Sequence, residues 1–236
     1  AEMAALPLVR NAYVEVVDGT ISAVGTMADC PLADDGWELR CCQGQWMLPG
    51  FIDSHTHLVF AAPRVTEFRM RLDGASYHDI AAAGGGILNS AAAIAQAEES
   101  DLLDALLARL ETARSTGTVA AEIKSGYGLS LDAERKMLRV IQRARGLQPM
   151  PLWATFLALH ALPKDRPRAD FVADAVDRWL PQLADEGLVD FVDVFCEANY
   201  FTADDLLRLA EAAAKRGIEL KSHVNQFQSV GGIQAS

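Results

Sequence analysis

The sequence predicts an α/β protein in which parallel strands and helices alternate along the chain. From residue 49 onward, short apolar runs alternate with segments of helical periodicity, and each apolar run is followed by polar residues. Strands that alternate with helices form right-handed βαβ units and a parallel sheet. Because α/β barrels place their chemistry at the carboxyl ends of such strands, the polar residues at these positions favour a barrel.

The barrel portion is predicted to hold about five strands, whereas a closed barrel needs eight. A barrel of this kind takes about 250 residues, so the 236 residues are slightly short for a complete one with anything attached. The predicted strands lie at 51–60, 118–124, 151–160, 189–196 and 218–225; a helix-rich stretch reaches residue 116, and helices follow at 132–145, 169–183 and 203–216.

Residues 1–48 are predicted to be a separate N-terminal piece made of short strands. The runs 12–17 and 20–24 flank an Asp-Gly step, which is a strong hairpin signal, and two more extended pieces are predicted at 37–42 and 46–48. So short a segment cannot bury a core of its own. We therefore expect residues 1–48 to be the N-terminal part of a small composite β-sandwich, and 49–236 to be the partial barrel.

Composition excludes several classes of protein. Half of the residues are hydrophobic, which argues against a disordered chain, and the net charge of −11 with a pI near 4.9 argues against nucleic-acid or anionic-membrane partners. No apolar run approaches the roughly 18–20 residues of a membrane span, and the first residues lack the features of a secretory signal. The four cysteines form no CxxC pair, which is typical of reduced thiols, and we expect a cytoplasmic protein.

Two histidines in the first predicted barrel strand indicate a metal site. His55 and His57 are two residues apart in the run 51–60, so period-two alternation projects both rings from the same face. Burying two polar rings without partners is costly, whereas neutral imidazoles that converge are suitable ligands for Zn²⁺. We therefore interpret this pair as metal ligands that face the barrel interior.

The other three histidines occupy different positions. His223 lies at the end of the last predicted strand and is the natural third ligand beside the first pair. His160 ends another strand, where it could polarise a substrate carbonyl or bind metal. His78 follows Tyr77 at the edge of a helical stretch and is interpreted as an ordinary histidine. The glycines at 84–86 are interpreted as a flexible loop, because no Gly-Lys-Ser/Thr follows them as in a phosphate-binding loop.

Segment 49–60 resembles the first barrel strand of the amidohydrolase superfamily. Within that superfamily the chain is similar to the imidazolonepropionase family, over nearly all of residues 8–234. The runs Lys124–Leu129 and Asp193–Glu197 are the most specific parts of the resemblance. The other matching stretches are Arg64 with Glu67-Phe68, 74–77, 84–87, 122–123, 155–161, 190–192 and 223–226.

This resemblance implies hydrolytic opening of the ring of 4-imidazolone-5-propanoate to N-formimidoyl-L-glutamate, in histidine degradation. It implies one Zn²⁺ or Fe ion per subunit, since imidazole–carboxylate sites accept both metals. His55, His57 and His223 match the metal ligands. The positions that hold the substrate are matched by Arg64, Tyr127, His160 and Gln226, and a catalytic role is implied for His160 and Tyr127.

The charge of the substrate gives Arg64 a physical role. The implied substrate carries a carboxylate, which a protein of net charge −11 repels unless a local guanidinium binds it. Arg64 follows the first strand by a short loop and is placed to make that contact. Tyr127 lies in a loop flanked by glycines, where its hydroxyl can reach a ligand.

Two departures from the family pattern keep alternatives open. Ala95-Gln96 stands where the family usually has a Thr-Arg pair, and the family's last metal ligand, an aspartate on the eighth strand, is expected beyond Ser236. The 236 residues alone are therefore expected to bind metal weakly and to be inactive. The alternatives are another cyclic amidase or deaminase of the superfamily, or an inactive fragment. An incomplete barrel exposes strand edges, so a homodimer is also possible.

Overall fold

The computed structural model describes residues 7–32, 35–76, 79 and 86–236. The chain divides into two compact units, one ending at Pro49 and the other spanning Gly50–Ser236. Within the described residues, none of the helices combines the length and apolarity needed to cross a bilayer. His78 and the glycines 84 and 85 lie outside the described residues.

The first unit contains one β-hairpin. Strands β1 (Ala12–Val17) and β2 (Thr20–Thr26) pair antiparallel, and a short 3₁₀ turn follows at Met27–Asp29. Asp18 and Gly19 both have positive φ angles, of 50° and 75°, which is the conformation of a type I′ hairpin turn. The hairpin prediction is confirmed. The extended pieces predicted at 37–42 and 46–48 are wrong as strands, because no described segment pairs with them.

The second unit is built on a parallel sheet, as predicted. Its strands are β3 (Phe51–Thr56), β4 (Thr118–Lys124), β5 (Leu152–Leu159), β6 (Phe191–Cys196), β7 (Glu219–Leu220) and β8 (His223–Val224). They pair in the order β3-β4-β5-β6-β7, and β8 also pairs with β6. The strand predicted at 218–225 is thus interrupted, and the strand predicted at 51–60 ends at residue 56, so that His57 follows it.

Helices connect the strands in the predicted alternation. Helix α4 begins at the predicted place, where the Ser130 hydroxyl accepts a hydrogen bond from the Ala133 amide. Thr202 and Asp205 form a capping box at the start of α7. The helices are α1 (Val65–Leu72), α2 (Ile87–Gln96), α3 (Glu99–Ser115), α4 (Leu131–Arg145), α5 (Arg168–Asp174), α6 (Leu180–Asp185), α7 (Ala203–Ala214) and α8 (Gly232–Ala235).

A single helix was predicted at 169–183, and the structure interrupts it with a π-helical turn at Ala175–Trp179. Pro181 explains the interruption. Its nitrogen cannot donate a hydrogen bond, and its ring collides with the carbonyl one turn earlier in a regular α-helix. The wider π turn relieves this collision and leaves the apolar residues of the segment buried.

The two faces of the parallel sheet differ in chemistry. Along β4, Ala121 and Ile123 join the apolar core that the helices cover, whereas Glu122 and Lys124 lie on the opposite face. On β6, Val192 and Val194 are likewise core residues and Asp193 faces the other way. The polar face carries charged groups that are nevertheless buried, and the candidate site lies at its carboxyl end.

Candidate active site

A cavity of about 570 Å³ lies at the carboxyl ends of the parallel strands, as the barrel prediction required. The sequence-predicted residues that line it are His55, His57, Arg64, His160, His223 and Gln226. The predicted residue Tyr127 is not among its lining residues, but its ring packs against His57 and His160, with centroid distances of 4.9 and 5.3 Å. The structure therefore brings all seven predicted residues into one region.

Four histidine rings form a cluster in this cavity. The Nε2 atoms of His55 and His223 face each other at 3.3 Å, although 168 residues separate them in the chain. The rings of His55 and His57 are 5.6 Å apart, and His57 stacks on His160 with centroids 5.0 Å apart and an interplanar angle of 9°. The expectation that both rings of the first pair are buried is met only in part. His57 is half-buried, and His55 is exposed because β3 has only one neighbouring strand among the described residues.

Burial favours the neutral form of three of these imidazoles, those of His55, His57 and His160. It lowers the pKa of His57 to about 3, with a further contribution from His160, and lowers that of His160 to about 4. Burial and then His223 lower the pKa of His55 as well. Neutral imidazoles have nitrogen lone pairs available for a ligand, whereas imidazolium ions have none.

His160 has a defined tautomer. Its Nδ1 lies 3.2 Å from the carbonyl oxygen of Gly126, which can only accept, so Nδ1 carries the proton. Nε2 of the neutral ring is then an acceptor. This geometry does not suit the expected polarisation of a substrate carbonyl, which requires a donor; it suits acceptance of an N–H from a ligand.

The chemistry of the donors fits a divalent metal ion. His55, His57 and His223 supply imidazole rings, and the Nε2 atoms of His55 and His223 already face each other. The buried Nδ1 of His57 has no hydrogen-bond partner among the residues that the structure describes. Within the described residues, no three His, Cys, Asp or Glu side chains stand in a complete ligating arrangement. The match between these residues and a metal ion therefore rests on the imidazole nitrogens as ligands and on the facing His55–His223 pair.

The sequence interpretation missed a buried network of charges beneath the histidines. Lys124 Nζ lies 2.5 Å from Glu122 Oε1 and 2.9 Å from Asp193 Oδ2, and all three side chains are at most 3% exposed. Asp193 Oδ2 is also 2.9 Å from Nδ1 of His223, although the ring N–H is not well aligned with it. Charged residues inside apolar strands were the sequence signal that could have revealed this network.

The electrostatic balance of this network favours ionised carboxylates. Burial opposes the ionisation of Asp193, but the contact with His223 and the charge of Lys124 lower its pKa. Burial acts in the same way on Glu122, whose pKa is lowered by Lys124, Lys221 and Thr155. The carboxylate beside His223 is thus available to accept its Nδ1 proton, which leaves Nε2 of that ring as the lone-pair atom.

Two arginine side chains and the carboxylate of Glu67 line the cavity. Arg64 lines it and is held by Glu67, whose Oε2 accepts from Nε at 2.6 Å. The other oxygen of Glu67 accepts from the Gly86 amide at 2.9 Å. Arg71, which the sequence interpretation did not single out, also lines the cavity. Two guanidinium groups at one cavity offset the repulsion that an acidic protein exerts on an anionic ligand.

Replacing Gly126 with alanine should destabilise the protein by about 2–4 kcal/mol. Gly126 has a φ angle of 104°, and a Cβ there would lie 2.5 Å from the Leu157 carbonyl and 3.1 Å from His160. Gly187→Ala is the matched control, because its φ angle of 69° is also positive but a Cβ there meets nothing within 4 Å. In urea unfolding, the control should lose about 1 kcal/mol of its free energy of unfolding. Equal losses would show that the contact with Leu157 is unimportant.

Comparisons with known proteins agree with this arrangement. The chain is 42% identical over 236 residues to an imidazolonepropionase of Flavobacterium psychrophilum, covering 99% of this chain and 57% of the relative. It is 46% identical over 216 residues to an imidazolonepropionase of Burkholderia lata, covering 91% of this chain and 53% of the relative. The chain thus spans little more than half the length of these relatives. No family model matches it.

Solved structures share the fold at low sequence identity. A 5-methylcytosine deaminase from Klebsiella pneumoniae matches with a TM-score of 0.64 at 18% identity, over 94% of this chain and 50% of the other. The ochratoxinase of A. niger matches with a TM-score of 0.57 at 17% identity, over 96% of this chain and 54% of the other. By fold the second unit is therefore part of an α/β barrel, and by sequence nearly the whole chain is similar to imidazolonepropionases, over little more than half of their length.

Proposed function

We propose that the protein hydrolyses 4-imidazolone-5-propanoate to N-formimidoyl-L-glutamate in histidine degradation, as a metal-dependent cytoplasmic enzyme. The observation that carries this proposal is the cavity in which neutral imidazoles and two guanidinium groups meet, in a chain whose relatives are imidazolonepropionases. The substrate has a cyclic amide at one end and a carboxylate at the other. The cavity offers a group suited to each end.

We assign the metal to His55, His57 and His223. When bound, a Zn²⁺ or Fe ion would polarise the ring amide and lower the pKa of a water molecule. Asp193 would keep the proton of His223 on Nδ1, so that its Nε2 remains a donor to the ion. These three histidines are the only ones assigned as ligands.

The remaining residues would hold the substrate. Nε2 of His160 would accept a ring N–H, since its Nδ1 is engaged by Gly126. Burial raises the pKa of Tyr127, so its hydroxyl stays protonated and can donate to a developing negative charge. Gln226 lines the same cavity and would contribute amide hydrogen bonds, and Arg64 would bind the propanoate carboxylate.

Substrate profiling tests the proposal. The protein encoded by the gene would be loaded with Zn²⁺ or Fe²⁺ and assayed with 4-imidazolone-5-propanoate, with hydantoins, and with aminopurines and 5-methylcytosine. We expect turnover of the imidazolone and little of the others. Turnover of the hydantoins or the nucleobases alone would replace the proposal with another cyclic amidase or a deaminase.

Replacing Arg64 with methionine should raise KM strongly and leave metal content unchanged. Loss of a charge-assisted contact to the carboxylate should cost about 2–3 kcal/mol, which is roughly 30–150-fold in kcat/KM. Arg69→Met is the matched control, because Arg69 lies on α1, the helix that Arg64 directly precedes, is exposed and is not a lining residue. An effect below about threefold at Arg64, or an equal effect at Arg69, would show that Arg64 acts only as a surface charge.

A further inference from the structure

Two buried glutamates bind backbone amides in loops at the candidate site. Glu134, on α4, is fully buried, and its carboxylate accepts from the amides of Gly126, Gly128 and Leu129 at 2.9, 2.7 and 3.0 Å. These three residues surround Tyr127 in sequence. One carboxylate therefore binds the loop both before and after Tyr127 in sequence.

The Tyr127 loop has little room for rearrangement. A Cβ on Gly128 would lie 2.5 Å from the Glu134 nitrogen and 2.7 Å from the Ala133 carbonyl carbon. On the other side, Gly126 packs closely on the backbone of β5, and its carbonyl binds the His160 ring. The carboxylate and the close packing together fix the direction in which the tyrosine leaves the backbone.

Glu197 makes the same kind of contact at a second loop. It follows β6, is 3% exposed, and accepts from the amides of Phe227 and Gln228 at 2.8 and 3.2 Å, as well as from its neighbour Ala198 at 2.8 Å. Phe227 and Gln228 directly follow Gln226. A carboxylate at the end of one strand thus holds the loop that follows the neighbouring strand, 30 residues away.

Burying these two carboxylates costs free energy of desolvation, which the hydrogen bonds from the loop amides offset. Within the described residues, neither Glu134 nor Glu197 takes part in an ion pair with a lysine, arginine or histidine, so backbone amides take the place of a cation. Hydrogen bonds donated by the amides of Phe227 and its neighbours lower the pKa of Glu197, whereas burial raises the pKa of Glu134 despite its hydrogen-bond donors. Hydrogen bonds to a charged acceptor are stronger than neutral ones and directional.

We propose that Glu134 and Glu197 are positioning residues, which hold Tyr127 and Gln226 in place to bind substrate. This inference rests on the proposed function of the cavity. Neither glutamate lines the cavity, so each acts through the loop that it holds. The two carboxylates thereby position Tyr127 and Gln226, which belong to separate βα units.

Substitution by glutamine tests the proposal. In Glu134→Gln and Glu197→Gln the amide nitrogen replaces one acceptor oxygen, so at least one backbone amide loses its partner. We expect kcat/KM for 4-imidazolone-5-propanoate to fall about tenfold or more in each variant, since small displacements of substrate-binding groups are costly. The loss should appear mainly in KM for Glu197→Gln, and in kcat as well for Glu134→Gln, because Tyr127 also donates to the developing charge. Glu186→Gln is the matched control, because the Glu186 carboxylate binds the side chains of Arg135 and Arg139 at the surface. This variant should alter KM and kcat/KM less than about twofold.

A double-mutant cycle distinguishes positioning from general destabilisation. If Glu134 acts through Tyr127, then adding Glu134→Gln to Tyr127→Phe should lower kcat/KM by much less than Glu134→Gln does alone. Fully additive effects would overturn the proposal for Glu134. The Glu197→Gln variant, combined in the same way with Gln226→Ala, keeps the test valid if the Glu134 variant does not fold.

Hydrogen exchange of the ligand-free protein supplies a readout independent of catalysis. We expect faster exchange confined to amides 126–129 in Glu134→Gln and to 226–228 in Glu197→Gln. Unchanged exchange, or acceleration spread over the whole barrel unit, would overturn the proposal. If the parent protein does not open the imidazolone ring, the proposed function fails, whereas the exchange pattern still decides whether these carboxylates hold the two loops.

Discussion

Replacing His223 with asparagine should lower kcat/KM for 4-imidazolone-5-propanoate by about 10³-fold or more, which corresponds to roughly 4 kcal/mol of transition-state stabilisation. It should also remove most of the bound metal. Nε2 of His223 faces that of His55 at 3.3 Å, so the variant keeps only one member of the facing pair. Asparagine is polar and smaller than histidine, so the loss should reflect the missing imidazole donor more than a disturbed core.

The test combines metal analysis with kinetics. Metal content would be measured by mass spectrometry after dialysis against a weak chelator, and far-UV circular dichroism would show whether the variant is folded. His78→Asn is the matched control, since the sequence gives that histidine no role. A His223→Asn protein that retains its full metal content, with activity reduced less than about tenfold, would show that the ligands lie elsewhere.

The sequence predicted the fold well where local patterns decide the structure. The alternation of apolar strands and amphipathic helices placed β4, β5, β6 and α4 nearly at their observed bounds. It failed at 37–42 and 46–48, because an extended apolar run becomes a strand only when a partner pairs with it. Pairing is a non-local property, and periodicity does not reveal it.

The candidate site was predicted in part for a similar reason. Histidines are rare in this sequence, and the positions of His55, His160 and His223 at or near strand ends allowed their meeting to be inferred from the topology alone. The contacts of Lys124 and Glu134 depend instead on which carboxylate or amide lies opposite in space. Charged residues in buried elements indicate that partners exist, but they do not identify the partners.

Lys124 is a buried cation that contacts two buried carboxylates. Its side chain is 2% exposed and its Nζ lies 2.5 Å from Glu122 Oε1 and 2.9 Å from Asp193 Oδ2. Lys124→Met keeps a similar length and volume but leaves two carboxylates in the interior without this cation. Glu122 keeps its ion pair with Lys221, but Asp193 loses its lysine partner. We expect the free energy of unfolding to fall by about 3 kcal/mol, because a buried charge that loses its partner keeps its desolvation penalty.

Urea unfolding followed by circular dichroism measures this loss. Arg114→Met is the control for removing a cation from an ion pair, because Arg114 and Glu111 are both exposed; it should change the free energy of unfolding by less than about 1 kcal/mol. A loss at Lys124 no larger than that at Arg114 would mean that water or structural relaxation screens the interior charges.

A triple variant separates charge from shape. Adding Glu122→Gln and Asp193→Asn to Lys124→Met removes both carboxylate charges and should recover much of the lost stability, since neutral groups of similar size often replace buried ion pairs at little cost. Lys221, the other cation paired with Glu122, is 33% exposed and can be solvated when that charge is removed. The recovered protein should nevertheless bind metal more weakly than the parent. Asparagine at 193 cannot offer the charged acceptor that lies 2.9 Å from Nδ1 of His223. Stability restored together with full metal affinity would show that the network supports the fold alone and has no part in orienting His223.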